Sequence, residues 1–223
     1  MAEKRGLLSA LSWRELMNAP RTPADIFSNL PVLTTKRLTL RPMSMRDAAD
    51  IYAYSRDPEV ARHVLWDAHK SLNESKAYLR FIIRQYKEGA PSSYGIVLND
   101  TGRLVGTIGF MWYSQENSTA EVGYSLARWL WGKGLMTEAL AAVLDMAFRE
   151  LGLHRVEAQH ETDNPASGRV MQKCGMRREG LLRQRLYNKG KYVDVALYAI
   201  LRSDPRPGHA LLERESHDSS HRL

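Results

Sequence analysis

The sequence predicts an α/β (α+β) fold: a mixed central sheet, mostly antiparallel, with one parallel crossover. Three observations predict it. A strand–helix–strand unit runs over 120–160, and a crossover of that kind lays its two strands parallel. Meanders flank it: strands at 93–98 and 103–113 meet at the turn Asn99-Asp100-Thr101-Gly102, and strands at 181–187 and 192–201 meet at the hairpin turn Asn188-Lys189-Gly190-Lys191. Between them, the glycine-bearing turn Trp131-Gly132-Lys133-Gly134 opens directly into an amphipathic helix.

Each element follows from local pattern. Residues 37–41 alternate apolar and polar and form the first strand. Ser44 caps a helix carrying Ala48, Ile51 and Tyr52. Asp57-Pro58 ends it, and a short helical piece runs through Val64. Ser71-Leu72-Asn73-Glu74 has the spacing of a capping box. It starts a helix with Leu79, Ile82, Ile83 and Tyr86 on one face, stopped by Gly89. Within 120–126, Val122, Tyr124 and Leu126 face one way, and Glu121, Gly123 and Ser125 the other. After the glycine turn, Leu140, Val143, Leu144, Ala147, Phe148 and Leu151 line a helical stripe that Gly152 terminates. Residues 155–160 form a strand. A helix over 165–173 has Pro165 at its first position and Gly175 past its end.

The ends read differently. Residues 1–33 form an N-terminal extension, in which Leu7, Leu8, Leu11, Trp13, Leu16 and Met17 suit a short helix and Pro20, Pro23 and Pro31 break the chain. That helix could dock on the domain, cover its site or join a homodimer. The domain spans 34–202, and the polar stretch 203–223 reads as a disordered tail.

Composition narrows the class. The chain has 223 residues, 43% hydrophobic and 26% charged, with a net charge of +7. No apolar run approaches the roughly 20 residues a membrane span needs, and the start has no secretory pattern. A single cysteine, Cys174, allows no internal disulfide and has no metal-ligand spacing around it, which fits a reducing cytoplasm. The basic charge suits an anionic cofactor and a partner near RNA.

The glycine turn is the most informative feature. Glycines at 132 and 134 tolerate left-handed dihedrals, and the first N–H groups of the following helix point into the turn. Such a turn suits a phosphate. By itself it serves equally well as a plain strand-to-helix connection. It has neither the dinucleotide nor the nucleoside-triphosphate glycine spacing.

Three motifs in order resemble the GCN5-related N-acetyltransferase (GNAT) superfamily over about residues 34–201. The first is Trp131-Gly132-Lys133-Gly134-Leu135-Met136, similar to the family's Gln/Arg-x-x-Gly-x-Gly/Ala loop with Trp131 and Met136 at variance. The second is Asn164-Pro165-Ala166-Ser167 continuing to Lys173-Cys174-Gly175-Met176. The third is Glu121-Val122-Gly123-Tyr124-Ser125-Leu126, like the family's splayed fourth strand. The Trp-Gly-Lys-Gly form is similar to the branch that acetylates the N-terminal amine of ribosomal proteins.

The resemblance implies helices on both faces of the sheet, with the parallel crossover at the cofactor site. It implies acetyl-CoA as co-substrate, no metal, and direct attack by an amine in a ternary complex. Its diphosphate would lie on Gly132, Lys133, Gly134, Leu135, Met136 and Thr137. Lys133 either adds charge or is a solvated loop residue. The pantetheine arm would pair along 123–126, at Ser125 and Leu126, with Gly123 marking a bulge or close approach. Asn164 would bind the pantetheine or a bridging water, or close an Asx-turn.

Glu121 matches the catalytic glutamate of many members, and its alternative is a solvated strand carboxylate. Some relatives carry a carboxylate on the penultimate strand, where this chain has Leu186 beside Tyr187. The tyrosine acid of many relatives falls on Met171. Ser167 either protonates the thiolate or caps its turn. Tyr124 and Tyr187 line the amine pocket or pack as core, and His154 and His160 read as structural. The acceptor is a protein N-terminus, with ribosome association, or a small amine. A non-catalytic acyl-CoA-binding regulator is a further alternative. No membrane partner is implied.

Overall fold

The computed structural model describes residues 21–207. The segment expected as a helix at 7–17 and the tail beyond 207 lie outside the described residues. In chain order, α1 (Pro23–Ser28) precedes β1 (Leu33–Thr34) and β2 (Leu38–Arg41). A 3₁₀ turn at Met45–Asp47 then leads into α2 (Ala48–Ser55), α3 (Pro58–Ala61) and α4 (Leu72–Glu88). Next come β3 (Ser93–Leu98), β4 (Leu104–Ser114), β5 (Thr119–Leu126), α5 (Leu135–Arg149) and β6 (Arg155–Glu161). The chain closes with α6 (Pro165–Lys173), β7 (Arg177–Asn188) and β8 (Lys191–Leu201).

The strands form one sheet in the order β1-β2-β3-β4-β5-β6-β8-β7. Every neighbouring pair is antiparallel except β5 and β6. That parallel pair has only three matched positions, Thr119 with Arg155, Ala120 with Val156 and Glu121 with Glu157. Beyond them the two strands part. Helices flank the sheet. Helix α5 buries Leu140, Val143, Leu144 and Ala147, the stripe expected from its period. No described helix is long and apolar enough to cross a membrane.

Local chemistry corrects several expectations. Pro23 starts a helix instead of breaking the chain. The Thr22 hydroxyl accepts from the Asp25 amide at 3.2 Å, and the Asp25 carboxylate accepts from the Thr22 amide at 2.9 Å. Proline suits the first helical position because its missing N–H has no partner there anyway. Ile26, Phe27 and Leu30 then enter the core, and the Phe27 ring lies edge-on to Phe110 and Tyr113 at 5.6 and 5.8 Å. At the other end, Arg177 pairs with Asp204 at 3.1 Å and the Arg206 guanidinium sits 5.0 Å above Phe148. Packing thus extends past 34–202 on both sides.

Helix α4 begins after Ser71 as expected, yet Ser71 makes no side-chain cap bond. Glu74 reaches past it to the Lys70 amide at 2.9 Å. The bulge expected at Gly123 lies on its partner strand, where the register shifts between Phe110 and Trp112. Gly123 makes room for the extra residue: a Cβ there would stand 2.7 Å from the Met111 sulfur.

Candidate active site

The glycine turn follows a 3₁₀ turn at Arg128–Leu130, and Gly132 and Gly134 both hold φ of 75°. That dihedral strains any residue with a Cβ. Gly134 is the N-cap of α5, and no side chain caps the helix. The first amides of α5 therefore lack an intramolecular acceptor by construction. The Trp131 indole anchors the turn from one side by donating to the Leu126 carbonyl at 2.7 Å.

A clamp holds the turn from the other side. Arg37 donates through Nη1 to the Lys133 carbonyl at 2.9 Å and through Nε to Glu138 at 2.7 Å. Glu138 also accepts from the Thr35 hydroxyl at 2.7 Å and the Arg37 amide at 2.8 Å. Partial burial pushes the Glu138 carboxyl up. The Thr35 hydroxyl and both Arg37 donors outweigh that and hold it below its ordinary value.

A cleft of about 400 Å³ opens beside the turn. From the turn and helix it takes Gly132, Gly134, Leu135, Met136 and Thr137. From the end of β5 it takes Tyr124, Ser125 and Leu126, and from α6 Asn164 and Ser167. Ten of the residues named from sequence thus meet in one place. Asn164 is the N-cap of α6 and accepts from the Ser167 amide at 3.4 Å. The Tyr124 hydroxyl lies 2.9 Å from the Ser167 hydroxyl and donates to the Ser167 carbonyl at 3.1 Å. Burial pushes the Tyr124 phenol well above its usual range, so it stays protonated. Ser125 is buried with its hydroxyl 3.2 Å from that of Thr107.

Three expected residues stand elsewhere. The Lys133 side chain does not line the cleft. Glu121 does not line it either: one carboxylate oxygen accepts from the Trp112 indole at 2.9 Å and the other from the Gln159 amide at 3.0 Å. Its carboxylate is held instead by side chains of the two flanking strands, Trp112 on β4 and Gln159 on β6. Tyr187 is 64% exposed and stacks edge-on with Tyr192 at 5.1 Å. It does not line the cleft, because the alternation of β7 turns its neighbour Asn188 inward instead.

Met171 and Cys174 are buried, and burial pushes the Cys174 thiol up to about 12. It donates to the Thr137 carbonyl and offers no nucleophile. The His160 ring packs on Tyr198 and against Gly168, in keeping with a structural role.

A second cavity, of about 490 Å³, adjoins the first, and Glu59, Arg62 and His63 of the α3 region line both. Its floor is Glu161, only 5% exposed, which accepts from His63 Nδ1 at 2.8 Å and from the Asn188 amide. His63, Glu161 and Asp163 are the one group of potential metal donors among the described residues. Both Glu161 oxygens are already taken by N–H donors, and Lys189 and Lys191 share the cavity, so the cluster suits a proton better than a cation. Sequence reasoning missed His63, Glu161 and Asn188. The available signal was parity: Asn188 beside Tyr187, and Glu161 two positions along from Gln159 on one strand face.

The chain resembles known proteins along most of its length. The family described as acetyltransferase (GNAT) domain matches residues 37–177. The uncharacterized N-acetyltransferase p20 of Bacillus licheniformis is 34% identical over 175 residues, covering 78% of this chain and 98% of that protein. The [ribosomal protein uS5]-alanine N-acetyltransferase of Escherichia coli (strain K12) is 31% identical over 194 residues, covering 81% and 97%. In fold, the chain is similar to RimL, the ribosomal L7/L12 alpha-N-protein acetyltransferase solved in complex with coenzyme A. The TM-score is 0.69 at 22% identity, covering 77% of this chain and 98% of that one.

Proposed function

This chain belongs to the acetyltransferase (GNAT) family, and from that premise we propose that it acetylates the N-terminal α-amine of a protein, with acetyl-CoA as donor. One observation carries the reading. The uncapped start of α5 and the left-handed glycine turn open into the same cleft as Tyr124 and Ser167. Amides of 134–137 and the dipole of α5 favour the diphosphate at one end. Asn164 and the parted end of β5 line the path of an extended, amide-bearing arm. A free β5 amide near Tyr124 is the donor for the developing oxyanion. The Ser167 and Tyr124 hydroxyls stand where a departing thiolate needs a proton.

An α-amine has an ordinary pKa near ~8, so a weak base suffices to free it. Both Glu121 oxygens are engaged, by the Trp112 indole and the Gln159 amide, which argues against a direct contact with the amine. The likeness to a uS5-alanine enzyme supports a ribosomal protein as acceptor, encountered in the cytoplasm. The second cavity mixes carboxylates with Arg62, Lys189 and Lys191, which suits a peptide, with its single ammonium and its carbonyls, better than a polyamine. A thiol-release assay with acetyl-CoA tests this. Ala- or Ser-initiated peptides should turn over and polyamines should not. Turnover of polyamines alone would move the enzyme to the small-amine class, and coenzyme A binding without any turnover would make it a regulator.

A further inference from the structure

We propose that His63 is the base that takes the proton from the acceptor amine, with Glu161 and Asn188 as its positioning residues, and that the cavity they floor seats the acceptor's first residues. This deepens the acetyltransferase reading and rests on it. Three residues line both cavities, and two of them are occupied with each other: Arg62 and Glu59 pair at 3.5 Å with largely exposed side chains. His63 differs. Its side chain is only 17% exposed, and among the described residues only its Nδ1 is hydrogen-bonded.

The bond to Glu161 fixes the tautomer. A buried carboxylate accepts, so Nδ1 carries the hydrogen, and the lone pair resides on Nε2. Glu161 itself cannot rotate away. It is 5% exposed, and the Asn188 amide holds its second oxygen. Leaving either oxygen bare would cost the desolvation of a buried charge. The arrangement places a carboxylate behind an imidazole that lines both the cleft assigned to the acetyl donor and the second cavity.

The proton accounting closes. The ammonium gives one proton to His63 Nε2, and the imidazolium is balanced by Glu161. The nitrogen lone pair forms the new bond to the acetyl carbon, and the carbon–sulfur bond breaks. The nitrogen sheds its second proton, which ends on sulfur by way of the Ser167 and Tyr124 hydroxyls. His63 then releases its proton to water.

Other charges face the imidazole. Carboxylates come from Glu59, Asp67, Glu161 and Asp163, the last at 3.7 Å from Nδ1. Cations come from Arg62, Lys189 and Lys191, and from Arg169 and Lys173 across the cleft. Lys189 is engaged by Asp67 at 2.7 Å, and Lys191 lies 4.0 Å from Asp163.

The test compares wild type with His63→Gln and His63→Ala on acetyl-CoA and a short Ala-initiated peptide, with coenzyme A affinity by calorimetry as the check on folding. Expected is a fall in kcat of roughly 100-fold or more, coenzyme A affinity within about twofold, loss of the acid-side limb of the pH profile, and rescue of His63→Ala by added imidazole. Glu161→Gln should lower kcat more than it raises KM and add nothing to His63→Gln. A wild-type measurement runs beside these: diethyl pyrocarbonate should modify His63, mapped by peptide mass, and the peptide with coenzyme A should protect it. A His63→Gln rate within about threefold of wild type with its acid limb intact, or no protection of His63, overturns the proposal while leaving the acetyltransferase reading standing. A wild type that binds coenzyme A but acetylates no amine overturns both.

Discussion

Gly134 shows how much a single residue decides. Its φ of 75° and its place as an uncapped helix start are both needed for an anion to approach the α5 amides. A Cβ at this position meets nothing closer than the Arg37 guanidinium at 3.7 Å. Gly134→Ala should therefore cost only the backbone strain, about 1–2 kcal/mol, seen as a small drop in Tm. Gly134→Asp adds a negative charge inside the nest and should weaken acetyl-CoA binding by roughly 100-fold or more, measured by calorimetry. Unchanged affinity would remove the phosphate from this turn. Features of this type were legible in the sequence because residue type and backbone dihedral are tied together. Tyr187 was not placed correctly, because an alternating strand assigns opposite faces to neighbours and local pattern alone does not fix the phase. The same one-residue parity hid Asn188.

At the scale of elements, the glycine turn is held in place by β2 through Arg37 and Glu138, partners about a hundred positions apart in the chain. No local pattern announces such a contact, and for the same reason the His63–Glu161 pair escaped a reading that treats helices and strands one at a time. Glu138 makes a pH prediction. Its carboxyl is held below its ordinary value in the folded protein. Its stabilisation is therefore complete above the ordinary carboxylate range and is lost as pH falls through the lowered value. Glu138→Gln should cost about 2 kcal/mol near neutrality and flatten the acid side of the stability curve, checked by urea unfolding from pH 7 to pH 3. An equally steep acid loss in the variant would assign that loss to other carboxylates held low in the fold, Asp47, bound by Arg41, among them.

On the scale of the whole molecule, the sequence revealed the order of elements, the parallel crossover and the hairpin at 188–191. The insertion of β8 between β6 and β7 is a long-range choice that local periodicity does not encode. It leaves β7 at the rim with Arg177, Arg178, Arg183 and Arg185 along it, charges that discourage edge-to-edge pairing. A ligand that binds only the folded state should raise global stability. Coenzyme A at about 100 times its Kd adds about 2.7 kcal/mol, a Tm rise of roughly 5–10 °C at this size. No shift would mean no specific site. The parting of β5 from β6 after Glu121 and Glu157 has one more consequence. From 124 onward, every second N–H of β5 faces a gap where a neighbouring strand would ordinarily sit, so the sheet is left open for a guest to complete. In hydrogen–deuterium exchange those alternate amides should trade with solvent quickly in the free enzyme and fall silent once the pantetheine arm is seated.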